Sequence, residues 1–305
     1  MPTSNAPSCE SGVNRPVEPI ALSAPLARRL APRLCRRDPA SGEDCSWYHG
    51  LWQDLRALGL AASPVYQADF FLGAFKRMAK RRRLRLLISG AADYSILAHV
   101  LWGCRESGLE VDITVTDRCN TPLFLNQWYA EQAGHPITTV QEHILAYQPE
   151  EPFDVICSHA FLGQFSPQRR TELVGKWSQW LAPMGTVLTV NRVRPGGTRR
   201  EIRFSPEEAR AFCLAVEQRI RESQSWPEAE AAEALARARI YAQRLRIHPI
   251  SPAEFTQLFL STGFRIDALS TVASGESRNR NVSGPAIPRE SKHACLVATK
   301  ARSGE

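Results

Sequence analysis

The stretch from Leu84 to Asp117 constrains the fold more than any other. Leu84 to Ile88 is a short, largely apolar run standing between Arg81-Arg82-Arg83 and Gly90. Such a run, so bounded, predicts a strand buried on both faces, as in a parallel sheet. From Ser95, the residues Ile96, Leu97, His99, Val100, Leu101 and Cys104 recur at helical spacing, and Gly108 closes the helix. Val111, Ile113 and Val115 then alternate as a second strand that ends on Asp117. The unit is therefore βαβ, with a turn of small residues after its first strand and an acid at the tip of its second. Gly90, Ala91 and Ala92 let a ligand approach the backbone, and the helix beyond points its amides at whatever binds there. An acid at the next strand tip can accept both hydroxyls of a ribose. The unit reads as a nucleoside-cofactor site; the plain alternative is a packing unit in which Asp117 is incidental.

Composition narrows the setting. The chain has 305 residues, 43% of them hydrophobic, enough for one large domain with additions. The formal net charge is +7, which permits an acidic partner or nucleic acid. Much of the excess sits in short arginine runs at Arg28-Arg29, Arg36-Arg37, Arg81-Arg82-Arg83 and Arg199-Arg200. A run such as Lys80 to Arg83 before a strand reads as a solvated edge. Eight cysteines, Cys9, Cys35, Cys45, Cys104, Cys119, Cys157, Cys213 and Cys295, are scattered with no C-x-x-C pair. That pattern argues against zinc ribbons and redox motifs, so no metal ligands are expected. Several fall in predicted helices or strands, where cysteine serves as a small buried hydrophobe. This suits a reducing cytosol, and the expected localisation is cytoplasmic. No apolar run reaches transmembrane length, and the N-terminus lacks the pattern of a signal peptide.

The rest of the chain supplies further elements. Residues 1–18 are rich in Pro, Ser and Asn and are expected to be disordered. Three helices are predicted before the first strand, around Leu22–Leu34, Trp47–Leu58 and Asp69–Met78. After Asp117, Thr121 and Pro122 suggest an N-cap and first helical residue, with the helix reaching about Ala133. Ile137 to Gln141 is a third strand with Glu142-His143 at its tip. Phe153 to Ser158 is a fourth, followed by His159. Ser166-Pro167 opens a helix that reaches Trp180, and Gly185 to Asn191 is a fifth strand. Ser205-Pro206-Glu207-Glu208 has a capping-box arrangement, and helical composition continues, broken near Trp226-Pro227, to about Arg246. Ser251-Pro252-Ala253-Glu254 begins another helix, which ends at Thr262-Gly263-Phe264. Arg265–Val272 and His293–Thr299 are the last strands, separated by a polar loop from Ser274 to Arg289.

Across about residues 84–300 this succession resembles the class I S-adenosylmethionine-dependent methyltransferases. The resemblance is carried by Gly90-Ala91-Ala92-Asp93-Tyr94 after the first strand, Asp117 after the second, Phe153-Asp154-Val155-Ile156 in the fourth, Leu181-Ala182-Pro183-Met184-Gly185 before the fifth and Thr262-Gly263-Phe264 before the sixth. The family's glycine motif is altered, with Ala92 and Tyr94 at two glycine positions and Ile88 at the position of the usual acid. A dinucleotide-binding dehydrogenase would want Gly-x-Gly-x-x-Gly at this turn, and the sequence lacks it. The resemblance implies an α/β, Rossmann-like, doubly wound seven-stranded sheet in the order 3-2-1-4-5-7-6. Residues 1–18 would be a tail, 19–80 an N-terminal helical cap and 81–305 the methyltransferase domain, with a helical insertion at 198–247 after strand five. That insertion is a candidate lid or dimer arm, so a homodimer is an open expectation. Trp47, Tyr48, His49 and Trp52 offer aromatic surface for a lid over the substrate, or for packing the cap.

The cofactor implied is S-adenosyl-L-methionine. Its implied contacts are Ser89, Gly90, Ala91, Asp117, Arg118 and Ser158, with Glu142 or His143 meeting the adenine. His159 at the tip of strand four is the expected catalytic residue, placed to take a proton from an attacking hydroxyl or amine. Strand four is followed by no Asn-Pro-Pro-Tyr or Asp-Pro-Pro-Tyr and no Pro-Cys marks a nucleophile, which argues against amino-group and cytosine methylases. The expected enzyme is a methyltransferase of the bacterial small-molecule type, acting on oxygen or nitrogen, with no membrane partner. The alternatives are a non-catalytic nucleoside-binding protein, and an RNA methyltransferase resting on charge alone.

Overall fold

A computed structural model describes residues 15–35, 44–61, 64–81, 83–194, 201–273, 283–285 and 292–301. The expected disorder of residues 1–14, most of the polar loop after Ala273 and the arginine pairs at 36–37 and 199–200 lie outside the described residues.

The first βαβ unit forms as its sequence requires. β1 (Arg83–Ser89) and β2 (Glu110–Asp117) run parallel, pairing Ile88 with Val115, and α4 (Ser95–Glu106) crosses between them. β3 (Ile137–Gln141) adds outside β2, whereas β4 (Phe153–His159) pairs with the other edge of β1. β5 (Leu181–Val193) follows parallel to β4. β7 (Lys292–Lys300) inserts antiparallel between β5 and β6 (Phe264–Ala273). The order is β3-β2-β1-β4-β5-β7-β6, a Rossmann-like doubly wound sheet. The direction of winding reverses between β1 and β4, and such a switch point opens a crevice at the carboxyl ends of the strands.

Strand alternation divides the core between two faces. Leu84, Leu86 and Ile88 of β1 face one side, where they meet Phe71 and Phe75 of α3 (Ala68–Met78), Leu97 and Val100 of α4, and Leu123 and Ala130 of α5 (Asn120–Gln132). Leu87 faces the other, with Ile156, Val187, Trp177 of α6 (Pro167–Trp180) and Phe255 and Phe259 of α9 (Pro252–Leu260). Ser166, Ser205 and Ser251 cap α6, α7 (Pro206–Ser223) and α9, and the last two complete capping boxes with Glu208 and Glu254. At α5 the start differs from the Thr121 expectation. Asp117 Oδ1 accepts the Cys119 amide at 2.8 Å, so the helix begins at Asn120 and Thr121 is buried inside its first turn.

A second apolar core forms away from the sheet. Leu51 and Leu55 of α2 (Ser46–Ala57) pack with Phe212, Val216 and Ile220 of α7 and Ala234, Ala238 and Tyr241 of α8 (Glu228–Arg244). The hairpin is therefore packed on the N-terminal helices. Arg237 of α8 fixes this contact, donating to the Gly50 carbonyl at 3.1 Å and to Arg28 O, in α1 (Ile20–Leu34), at 3.0 Å. No helix among the described residues is long and apolar enough to cross a membrane.

Candidate functional site

The crevice at the switch point is walled by α2 and α8, leaving a partly open cavity of about 580 Å³. Its floor is the turn after β1. Gly90 adopts φ +74°, and its amide donates to Thr116 O at 3.0 Å, which ties the turn to the neighbouring strand. The next amide, of Ala91, donates to Asp117 Oδ2 at 3.1 Å. Asp117 thus bridges the tip of β2 to the small-residue turn, and both line the cavity. Burial pushes its carboxyl up from the ordinary value, against the opposing influence of the His49 ring and the two amides.

Asp93, later in the same turn, is buried. Burial raises its carboxyl, but Arg56 of α2, donating at 2.7 Å, and the bonds from Ser95 outweigh this and leave it below the usual range. Arg56 also pairs with Glu18. Glu18 and Val17, whose carbonyl accepts the Tyr129 hydroxyl at 3.1 Å, are therefore anchored, unlike the tail expected through residue 18.

The roof is aromatic. Tyr48 stacks on Trp52 at 5.5 Å and on Tyr241 of α8 at 5.9 Å, and Trp47 meets Tyr241 edge-on. These rings line the cavity and also pack the helices together.

Sequence-predicted residues divide at the cavity wall. Gly90, Ala91, Asp117, Arg118, His143 and His159 line it. Glu142 does not; it is exposed and its carboxylate accepts the His143 amide at 2.8 Å. Ser89 is corrected: it is fully buried inside the sheet, accepting from the Trp177 indole at 3.1 Å. Ser158 is corrected likewise, being buried against Thr189 at 2.8 Å. Ser89 points at Trp177 of α6, and Ser158 meets Thr189 of the neighbouring β5. The space beside Gly90 is also assigned differently. A β-carbon there would overlap the Phe161 ring, so the close approach that glycine permits is made by Phe161 from the loop after β4.

His159 sits half-buried at the β4 tip. Its Nε2 lies 3.3 Å from Gln67 Oε1, an oxygen that only accepts, so Nε2 carries the proton and Nδ1 is the acceptor. Burial, then the neighbouring His293, hold its pKa down to about 3. Sequence reasoning missed cavity residues on late strands, among them His293 of β7 and Arg192 of β5. Burial lowers both, His293 to about 4. Among the described residues no carboxylate pairs with Arg192, and its buried Nε lacks a hydrogen-bond partner. The cavity's two acids, Asp93 and Asp117, stand at the β1–β2 end. Arg192, Arg194, Arg244 and Arg246 stand at the other, with His248 and His293.

Where no metal-ligating set is expected from the sequence, the fold brings together a group whose side chains could hold a metal ion. Cys35, Cys45, His49 and Cys119 converge, with ligand atoms within 4.8 Å of one another. Their sequence spacing hid this, because the four come from three separate segments.

No protein-family model matches the sequence, and no curated protein matches it. Among solved structures, the chain is similar to a putative sarcosine dimethylglycine methyltransferase from Galdieria sulphuraria at 13% identity and TM-score 0.49, covering 80% of this chain and 92% of that one. It is similar to the [4+2]-cyclase SpnF at 14% identity and TM-score 0.49, covering 79% and 84%. It is also similar to magnesium protoporphyrin IX methyltransferase from Synechocystis PCC 6803 with bound SAH, at 9% identity and TM-score 0.46, covering 82% and 86%.

Proposed function

We propose that this chain is an S-adenosylmethionine-dependent methyltransferase that moves a methyl group to an oxygen or nitrogen of a small, anionic acceptor. The observation that carries the reading is Asp117. Its carboxylate stands on the cavity wall at the switch point, bonded to the Ala91 amide of the glycine turn. A fold alone does not assign chemistry; a site does.

The residues present fit the cofactor. Each Asp117 oxygen accepts one amide and retains acceptor capacity for a ribose hydroxyl. Ala91 and Ala92 keep the floor low, and His143 with Ile144 forms a wall for the base. Bound there, the cofactor supplies an electrophilic methyl group on its sulfonium. The chain contributes position and environment, since holding reactants close and aligned supplies much of the rate of a displacement. The aromatic roof gives the site an apolar side. His159, neutral at physiological pH, accepts a hydrogen bond through Nδ1 and orients the acceptor's hydroxyl or amine. With a pKa of about 3 it is a weak base, so orientation is the larger part of its role. Arg192, without a protein carboxylate among the described residues, favours an acceptor bearing a carboxylate or phosphate. Outside the cavity, Arg81 and Arg83 are paired with Asp154 and Asp112, which favours a small acceptor over nucleic acid.

Calorimetric titration with S-adenosylmethionine tests the reading. Micromolar binding is expected, weakened at least tenfold, about 1.4 kcal/mol, in Asp117→Ala. Anionic acceptors should then release S-adenosylhomocysteine, and their methyl esters should not. Binding without turnover across the screen would favour the non-catalytic nucleoside-binding reading. No binding of S-adenosylmethionine or S-adenosylhomocysteine would remove the methyltransferase proposal.

A further inference from the structure

We propose that Cys35, Cys45, His49 and Cys119 form a structural zinc site that fastens the N-terminal helices to the sheet beside Asp117. Cys35 is the residue after α1, Cys45 the residue before α2, and His49 lies one turn into α2. Cys119 precedes α5, in the turn that follows β2. Cys35 Sγ lies 3.5 Å from Cys119 Sγ and 3.5 Å from His49 Nδ1. Tetrahedral zinc, with Zn–S near 2.3 Å and Zn–N near 2.0–2.1 Å, separates two sulfurs by about 3.8 Å and a sulfur and a nitrogen by about 3.6 Å. The two Cys35 spacings lie close to those edges, and all four ligand atoms lie within 4.8 Å of one another. A disulfide would need the two sulfurs at about 2.05 Å.

The donor set selects the ion. Three sulfurs and an imidazole suit zinc and disfavour calcium or magnesium, which take oxygen ligands. All four positions are filled by protein and Cys35, His49 and Cys119 are buried, which marks a closed structural site. A supporting shell is present. Thr121 Oγ1 lies 3.2 Å from Cys35 Sγ, and the Cys119 amide is held by Asp117 Oδ1 at 2.8 Å. The site therefore fastens three segments together next to the acid of the proposed nucleoside pocket. It does not depend on which ligand that pocket takes.

Metal content of the full chain, expressed with zinc and purified under reducing conditions, is the test. The expected result is one tightly held zinc per chain, retained in Cys213→Ser and lost in Cys119→Ser and His49→Ala. Thr121→Val should keep the metal but weaken affinity by about tenfold. Because Cys119→Ser could fail to fold, the wild-type chain stripped of metal is also titrated with cobalt. Thiolate-to-cobalt charge-transfer bands with tetrahedral d–d absorption are expected. Folded wild-type protein that holds no zinc and gives no such bands overturns the proposal. So does a Cys35–Cys119 disulfide found by peptide mapping of unreduced protein, or stoichiometric iron or copper in place of zinc.

Discussion

At the scale of single residues, Gly90 and Phe161 form one unit. Gly90 holds φ +74°, and the missing β-carbon leaves room for the Phe161 ring. An alanine there meets two costs: the left-handed backbone, about 1–2 kcal/mol, and the overlap with Phe161. Gly90→Ala is therefore expected to destabilise the fold strongly, and Phe161→Ala to destabilise it through lost packing. In the double variant the overlap is gone, so its loss should be smaller than the sum of the two. Urea unfolding of the four proteins measures that coupling, and strict additivity would show that the two residues are independent. This pair also marks what the sequence could and could not say. Gly90 and Asp117 are legible because a strand, a tight turn and an acid at the next strand tip are local signals. Phe161 is not, since nothing local says that its ring returns to the turn after β1. Ser89 and Ser158 look like site residues by their nearness to strand tips, but alternation turns their side chains into the sheet. Arg192, His293 and the Cys35–Cys119 cluster depend on contacts between distant segments, which no spacing rule encodes.

At the scale of elements, the helical hairpin is the part whose packing the sequence left open. A capping box at α7 and the alanine-rich composition of α8 make the two readable as helices; what they pack against is not, because their buried faces match α2 rather than the sheet. Asp54 sits at that junction. Its oxygens have no hydrogen-bond partner among the described residues, and Arg28 Nε lies 3.4 Å away. Burial raises its pKa to about 7, against the pull of Arg28 and Arg237. The folded-state value thus exceeds the unfolded value of 3.8. Between the two, the native chain holds a proton that the unfolded chain has lost, so the stability Asp54 contributes is present at low pH and is lost as pH rises toward 7. Relative to Asp54→Asn, the wild type should lose about 1.4 kcal/mol per pH unit across that window and level off above it. Paired unfolding titrations from about pH 5 to about pH 8 read the difference. A difference independent of pH would mean that Asp54 is already ionised in the native state.

For the whole molecule, pH acts in the opposite sense, and the histidines decide it. His99 is fully buried in α4, donating from Nδ1 to Ser95 O at 2.7 Å, and its Nε2 lacks a partner among the described residues. Burial holds its pKa at about 4, and His293 is held at about 4 for the same first reason. Both lie below the ordinary 6.5. Between about pH 6.5 and 4 the unfolded chain therefore binds two protons that the native chain refuses, and stability falls as pH falls. Asp54 opposes them with one proton over the same window. Counted over these three groups, two minus one leaves a loss of about 1.4 kcal/mol per pH unit on acidification; Asp117, whose carboxyl burial also raises, opposes it, and half-buried His159 adds to it. Acid release of zinc would act likewise, so the wild type alone does not isolate the histidines. The double variant His99→Gln, His293→Gln leaves all four proposed metal ligands in place. Its stability, measured by urea unfolding from about pH 6.5 down to about pH 4.5, should fall less steeply than the wild type's. A double variant that loses stability as steeply as the wild type would move the cause of acid lability from these rings to the metal cluster.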